Sequence, residues 1–332
     1  MRIKARWKKE PGWRLIGSRP LDSAKSQAPG IACLPDGGFR LFYTAVGPAK
    51  PFPRCQGYIL SAYSQDGLEF VPEPGIRVAP QPERAHMSLR LLAPSVARCA
   101  DGRWRMYFEA RGTADLPTVI CSALSEDMLD WKIEEGIRLQ GKGSVRAPRY
   151  LAEEGGAGRL YCCGSHGDQS GILSARSEDG LVFELEAGYL LQPLDRDLES
   201  GSFSAAEVVP PQGPDDEWTM FYSAWQDAPP GAEVPPHPSL DSSLSEDFAA
   251  ASIASDMAGF RSRIYSAYSS DGIRWERGEC VVEGVGYGGE GVDAVHAEDM
   301  ALVALGGGSY RMYYAACDKD GNWGIASALS EK

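Results

Sequence analysis

The sequence predicts an all-β fold, a five-bladed β-propeller with four antiparallel strands per blade. Three observations predict it. The first is a phrase that recurs as SAYSQDGLEF (61–70), SALSEDMLDW (122–131), SARSEDGLVF (174–183), SAYSSDGIRW (266–275) and a terminal SALSEK. Its second serine stands at 64, 125, 177, 269 and 330, intervals of the size that propeller blades and solenoid repeats show. The second is another recurring phrase: APGIACLPDGGFRLFYTA (28–45), APSVARCADGRWRMYFEA (93–110), APRYLAEEGGAGRLYCCG (147–164) and EVVPPQGPDDEWTMFYSAW (207–225). The third is strand-like apolar/polar alternation inside each repeat, punctuated by turn residues such as ADG and SED.

Taken in order, the blades are expected at about 27–80, 91–141, 145–193, 204–284 and 296–332, together forming one domain. The Asp-Gly of three copies suits a tight hairpin, with Met128 replacing the glycine in the second. The fifth repeat stops after three strands, and WKKEPGWRLIG (7–17) aligns with WKIEEGIRLQG (131–141). An N-terminal strand from residues 5–21 therefore completes the last blade, closing the ring and removing an exposed sheet edge. The long fourth interval holds a Pro/Ala/Ser-rich insertion (226–262), expected to be a lid-like loop with a short helix in 244–258. Phe70, Trp131, Phe183 and Trp275 recur with every blade and are assigned to blade-to-blade packing.

Composition narrows the function classes. The formal net charge is −13 and no Lys/Arg run occurs, which argues against nucleic acid and anionic membranes as partners. No apolar run spans a bilayer and MRIKARWKKEPGW has no signal-peptide core, so the expected location is cytoplasmic. The eight cysteines form no CxxC, and five lie in or beside apolar strand-like runs; reduced, mostly buried thiols are expected, and no cofactor or metal is.

The candidate site follows from repeat-equivalent positions. Fourteen residues before the second-strand aromatics Phe42, Tyr107, Tyr161, Phe221 and Tyr313 stand Ala28, Ala93, Ala147, Glu207 and Asp299. In a propeller such positions surround the central funnel. Three are methyl-sized, and two carboxylates in neighbouring blades resemble an acid/base pair.

The repeats, the S-x-D-G-x-x-[WF] phrase and the strand starts resemble the five-bladed propeller glycosidases of the arabinanase/β-xylosidase and invertase/levansucrase types. The resemblance covers nearly the whole chain in pattern, with short motifs. It implies a sugar-like small molecule in the funnel, with Glu207 as general acid; Asp299, from its equivalent position in the fifth repeat, is the expected second carboxylate, although those families do not place their nucleophile there. The chain departs from the pattern where those families carry aspartates: it has Ala28-Pro29 for D-P and Arg146-Ala147-Pro148 for R-D-P.

Loops on the same rim supply Arg84, His86, Arg90, Glu109, Arg111, His166, Asp168, Trp225, Asp227, His296, Glu298, Asp318 and Lys319. Arg90, Arg146, His86, His166, His296, Glu109, Trp225 and Glu298 are the expected substrate-binding set. The arginines 84, 90, 111, 146 and 149 suit an anionic sugar, a phosphorylated ligand or phosphate, or else pair with the carboxylates. Trp225 has no counterpart in other repeats and is placed to stack on a sugar face. Three readings remain open at this level: an enzyme on glycosides, a sugar-binding propeller, and an enzyme using the rim histidines for other chemistry.

Overall fold

The computed structural model describes residues 6–194, 202–227, 260–284 and 290–331. Strands β1 (Arg6–Lys9) and β2 (Leu15–Ile16) precede the first repeat, β3 (Lys25–Cys33), β4 (Phe39–Val46), β5 (Tyr58–Ser64) and β6 (Val71–Pro72). The second is β7 (Arg90–Arg98), β8 (Trp104–Arg111), β9 (Val119–Ser125) and β10 (Lys132–Ile133), and the third is β11 (Val145–Ala152), β12 (Gly158–His166), β13 (Gln169–Ser177) and β14 (Glu184–Leu185). The fourth is β15 (Ser202–Val209), β16 (Trp218–Asp227), β17 (Phe260–Ser269) and β18 (Glu276–Val282); the fifth is β19 (His296–Gly306), β20 (Ser309–Cys317) and β21 (Trp323–Glu331). Within each repeat, consecutive strands pair antiparallel. A single parallel bridge, Ser262 to His296, joins the fourth and fifth repeats into one nine-stranded sheet. Among the described residues the only helical turns are two 3-10 turns, Ala85–Met87 and Glu154–Gly156, and no helix could cross a membrane. The insertion beyond Asp227, including the helix expected in 244–258, lies outside the described residues. None of the eight cysteines is in a disulfide.

The Ser-x-Asp-Gly phrase forms the turn from third to fourth strand. Ser64 Oγ accepts the Gly67 N–H at 2.9 Å, and Asp66 Oδ1 accepts the Leu68 and Glu69 N–H groups at 2.8 and 3.1 Å. These amides hold the Asp66 carboxyl down to about 2. The same bonds recur at Ser125/Asp127, Ser177/Asp179 and Ser269/Asp271. The connection is therefore longer than the tight hairpin expected from Asp-Gly alone, because the serine and aspartate side chains close it. Met128 adopts φ +63° where the other copies have glycine, and its buried side chain joins the core.

These turns bind one repeat to the next. Tyr313 Oη donates to Gly67 O at 2.8 Å, and Tyr107 Oη donates to Gly180 O at 2.9 Å. The recurring aromatics meet second-strand aromatics of the neighbouring repeat edge-on: Trp131 on Phe42, Phe183 on Tyr107, Phe70 on Tyr313 and Trp7 on Phe221, at centroid distances of 5.3–5.7 Å. Trp275 and Tyr161 share one core cluster. First strands also touch in cyclic order: β3 meets β7, then β11, β15, β19 and β3 again.

An Arg–Glu–Ser clamp ties second, third and fourth strands within repeats. Arg40 and Ser61 hold Glu73, and Arg105 and Ser122 hold Glu134. In the fifth repeat the glutamate comes from the other end of the chain: Arg311 and Ser327 hold Glu10 at 2.9 and 2.6 Å. Strand β1 pairs with β21 in the register its alignment with 131–134 implies, Lys8 opposite Leu329 as Lys132 is opposite Leu124. Glu10→Ala leaves a largely buried guanidinium without its carboxylate, and should cost about 2–4 kcal/mol in urea unfolding. An unchanged midpoint and slope would show that β1 does not brace the fifth repeat.

Candidate functional site

The inner ends of four repeats share one backbone device. Pairing between first and second strands skips two residues at Ala28-Pro29, Ala93-Pro94, Ala147-Pro148 and Asp299-Met300. The first residue of each pair has φ near +50°, uncommon for a residue with a Cβ; aspartate is among those that tolerate it best. Three of the four bulge amides are capped from the preceding repeat. Thr44 Oγ1 accepts the Ala93 N–H, Glu109 Oε2 accepts the Ala147 N–H, and Ser223 Oγ accepts the Asp299 N–H, at 3.0, 3.0 and 3.3 Å. Gly30 is required where first strands converge, since a Cβ there would lie 2.2 Å from Pro94 O.

The second bulge residues turn their carbonyls onto Arg149. Its guanidinium donates to Pro29 O at 2.9 Å, Pro94 O at 3.3 Å, Pro148 O at 3.1 Å and Met300 O at 3.0 Å. Its Nε lies 3.2 Å from Glu207 Oε2. One side chain thus meets all five repeats.

This contact places Glu207 against the hub. Phe42, Tyr107, Tyr161 and Tyr313 pair with Gly30, Ser95, Arg149 and Ala301, twelve residues earlier, whereas Phe221 pairs with Glu207, fourteen earlier. The first hairpin of the fourth repeat is two residues longer, so an equal count along the chain reaches a position deeper in the strand. Glu207 matches Arg149 in register, not Ala147. The irregularity of the fourth repeat falls instead at Ser204.

Beside this hub lies a cavity of about 90 Å³. Ala28, Ala93, Ala147, Asp299 and Ser204 line it, and Glu207 does not. The charged lining is Lys25, Arg90, Arg111 and Arg146 with Glu109, Glu298 and Asp299. Glu109 forms an ion pair with Arg111 while accepting the Ala147 amide. Trp225, also in the lining, donates its Nε1–H to Glu298 Oε2 at 2.6 Å. Desolvation raises the pKa of Asp299, against the opposing pull of Arg149 and a hydrogen bond with Ser204.

Of the substrate-binding set, Arg90, Arg146, Glu109, Trp225 and Glu298 therefore meet in one cavity, and the histidines do not. His296 is 3% exposed, hydrogen-bonded to Ser262 Oγ at 3.0 Å and stacked on Trp323. His86 sits half-buried in the Ala85–Met87 turn, its pKa lowered by burial and by Arg84. His166 and Asp168 are exposed at the β12–β13 hairpin. Among the described residues no His/Cys/Asp/Glu group could hold a metal. Asp318 caps its own hairpin by accepting the Asp320 and Asn322 amides, and Lys319 pairs with exposed Glu290. The Asp227 side chain lies outside the described residues.

Lys25, Gln27, Ser202 and Ser204 also line the cavity but were not anticipated. A signal existed for two. Gln27, like Arg146 and Glu298, stands one residue before a bulge residue, and Lys25, like Arg90, stands three before. Strand alternation aims these to one side.

No family model matches this chain, and no curated protein matches it in sequence. Its fold is similar to that of several solved structures. A putative glycoside hydrolase from Parabacteroides distasonis is 13% identical at TM-score 0.69, covering 99% of this chain and 97% of that one. An N-acetylgalactosamine deacetylase from F. plautii, solved with blood group B trisaccharide, is 14% identical at TM-score 0.65, with 98% and 96% covered. A protein of the GH130 family of mannoside phosphorylases, which contains hydrolases targeting β-1,2 mannosidic linkages in Candida mannan, is 14% identical at TM-score 0.62, with 97% and 93% covered. The chain thus has an all-β, propeller-like fold of the kind found in glycosidase-type proteins.

The burial of Glu207 carries a pH signature. Burial pushes the Glu207 carboxyl up to about 7, against Arg149 pulling it down. A raised folded-state pKa favours the protonated carboxyl, so its contribution is complete below pH 4.5 and is lost as pH rises through 7. With 22% of the side chain exposed, solvent screening trims the effect to about 1–2 kcal/mol. Glu207→Gln should flatten the stability profile over that interval in urea titrations; a profile parallel to wild type refutes this origin.

Proposed function

We propose that the five repeats are the blades of a closed five-bladed propeller forming one domain, and that its cavity is a carbohydrate-type site. The cyclic contacts of the first strands and the pairing of β1 with β21 support the closed ring. Eight cysteines outside any disulfide fit a reducing compartment such as the cytoplasm. The three similar structures are described as a putative glycoside hydrolase, an N-acetylgalactosamine deacetylase and a member of a family of mannoside phosphorylases and hydrolases, so the fold favours a sugar-like ligand without selecting the bond acted upon.

One observation carries the catalytic reading: Asp299 is the one carboxyl among the five residues that present bulges to the cavity, and burial favours its protonated form. A protonated carboxyl there can donate to a leaving oxygen as general acid. Glu109, ion-paired with Arg111, is the second carboxylate and supplies negative charge beside an electron-poor sugar carbon. Trp225 borders the same space and offers its ring to the sugar.

A panel of glycosides, neutral and acidic, with and without phosphate, tests this reading. Asp299→Asn should lower kcat by ~10²–10⁴, while Glu207→Gln, outside the cavity, should stay within about threefold of wild type. Full turnover by Asp299→Asn refutes the proton-donor role. Saturable sugar binding by the wild type without turnover of any substrate identifies a recognition propeller, the reading favoured by Ala28 and Ala147 standing at the cavity wall.

A further inference from the structure

We propose that Glu298 is a positioning residue that fixes the indole of Trp225 as a stacking platform at the cavity. The inference rests on the reading of this cavity as a sugar site and adds how its aromatic wall is held. Trp225 lies near the end of β16 in the fourth repeat, and Glu298 lies on β19 in the fifth, one residue before Asp299. Both line the cavity. Trp225 donates its Nε1–H to Glu298 Oε2 at 2.6 Å, and Glu298 is 5% exposed.

This bond is one half of a clamp. Trp225 stands directly opposite Ser262 in the β16–β17 pairing, so the two side chains share a face. His296 and Glu298 are alternate residues of β19 and also share a face. Ser262 Oγ meets His296 Nδ1 at 3.0 Å, beside the parallel bridge that joins the same two residues. His296 is backed in turn by the Trp323 ring, stacked at a centroid distance of 5.0 Å. One cross-strand pair thus grips one alternate pair through two side-chain hydrogen bonds. Repetition does not account for it. The positions equivalent to Trp225 and Glu298 hold Val46 and Leu92 where the first repeat meets the second, and Arg111 and Arg146 where the second meets the third. Neither couple can make this bond. An indole N–H only donates, and a carboxylate is the strongest acceptor a side chain offers it. The bond engages the edge of the ring, whereas a sugar stacks on a face, so the two contacts are compatible. A ring held in advance spares the ligand the cost of ordering it, an advantage of about three- to tenfold in affinity. Because Glu298 adjoins Asp299, the clamp also sets the platform relative to the proposed proton donor.

Indole N–H NMR spectra of the full chain test this, with Trp225→Phe assigning the Trp225 signal by its absence. Glu298→Ala should move that signal upfield and speed its exchange with water, and Glu298→Gln, which keeps an acceptor, should restore part of the wild-type position. Thermal melting establishes which variants are folded, and Glu298→Gln alone suffices where Glu298→Ala is not. Titration with the methyl glycosides of D-galactose, D-mannose and D-glucose should shift the wild-type Trp225 signal, and Glu298→Ala should weaken that binding about three- to tenfold. In a Trp225→Phe background, which has no N–H to hold, Glu298→Ala should cost little further. A Trp225 signal unmoved in every folded Glu298 variant overturns the positioning role, whether or not a sugar binds. Unchanged sugar affinity in the folded variants overturns it as well. So does an equal loss of affinity in both backgrounds, which would show the carboxylate touching the sugar itself. A signal that moves with Glu298 while none of the sugars binds supports the positioning role and removes the sugar reading of the cavity.

Discussion

The structure depends on a buried guanidinium being satisfied from every side. Arg149 has little solvent to turn to, and four backbone carbonyls and the Glu207 side chain surround it instead. Those carbonyls reach it only if the chain bulges at the second position of each Ala-Pro or Asp-Met pair. The same bulge places its first residue in the cavity lining. Hub and site are thus two consequences of one left-handed backbone step.

The outer rim is organised on different physics. There the serine and aspartate of each turn satisfy amides locally, while the turn carbonyl and a recurring aromatic engage the neighbouring repeat. These contacts are short, directional and repeated, so repeats spaced at unequal intervals in the chain are joined in equivalent ways. The Arg–Glu–Ser clamps add the same logic within repeats, and Glu10 extends it to the two ends of the chain. The parts that recur therefore belong to the architecture, whereas the cavity lining differs from repeat to repeat, as at Asp299, Arg146 and Trp225.

The cavity is distinguished by charge in a confined space. Three of the four left-handed bulge residues are alanines, which leave room and contribute no charge. Asp299 alone adds a carboxyl at such a position, surrounded by more positive than negative groups. Glu207 has the residue type expected of an acid and lies against Arg149 at the hub. The resemblance to propeller glycosidases consequently bears on the shape of the cavity more than on which groups surround it.

Strand alternation, the repeated turns and the aromatic positions were legible in the sequence, because each follows from local spacing and recurs. The alignment of residues 7–10 with 131–134 was also sufficient to pair the chain's two ends in register. What the sequence could not decide was where each side chain points. The two extra residues in the fourth repeat's hairpin move Glu207 from the cavity to the hub, and the rim histidines scatter because shared loop position does not imply shared direction. Local sequence determines which residues are extended and which turn; only the register across paired strands, with its bulges, decides which of them face the same void.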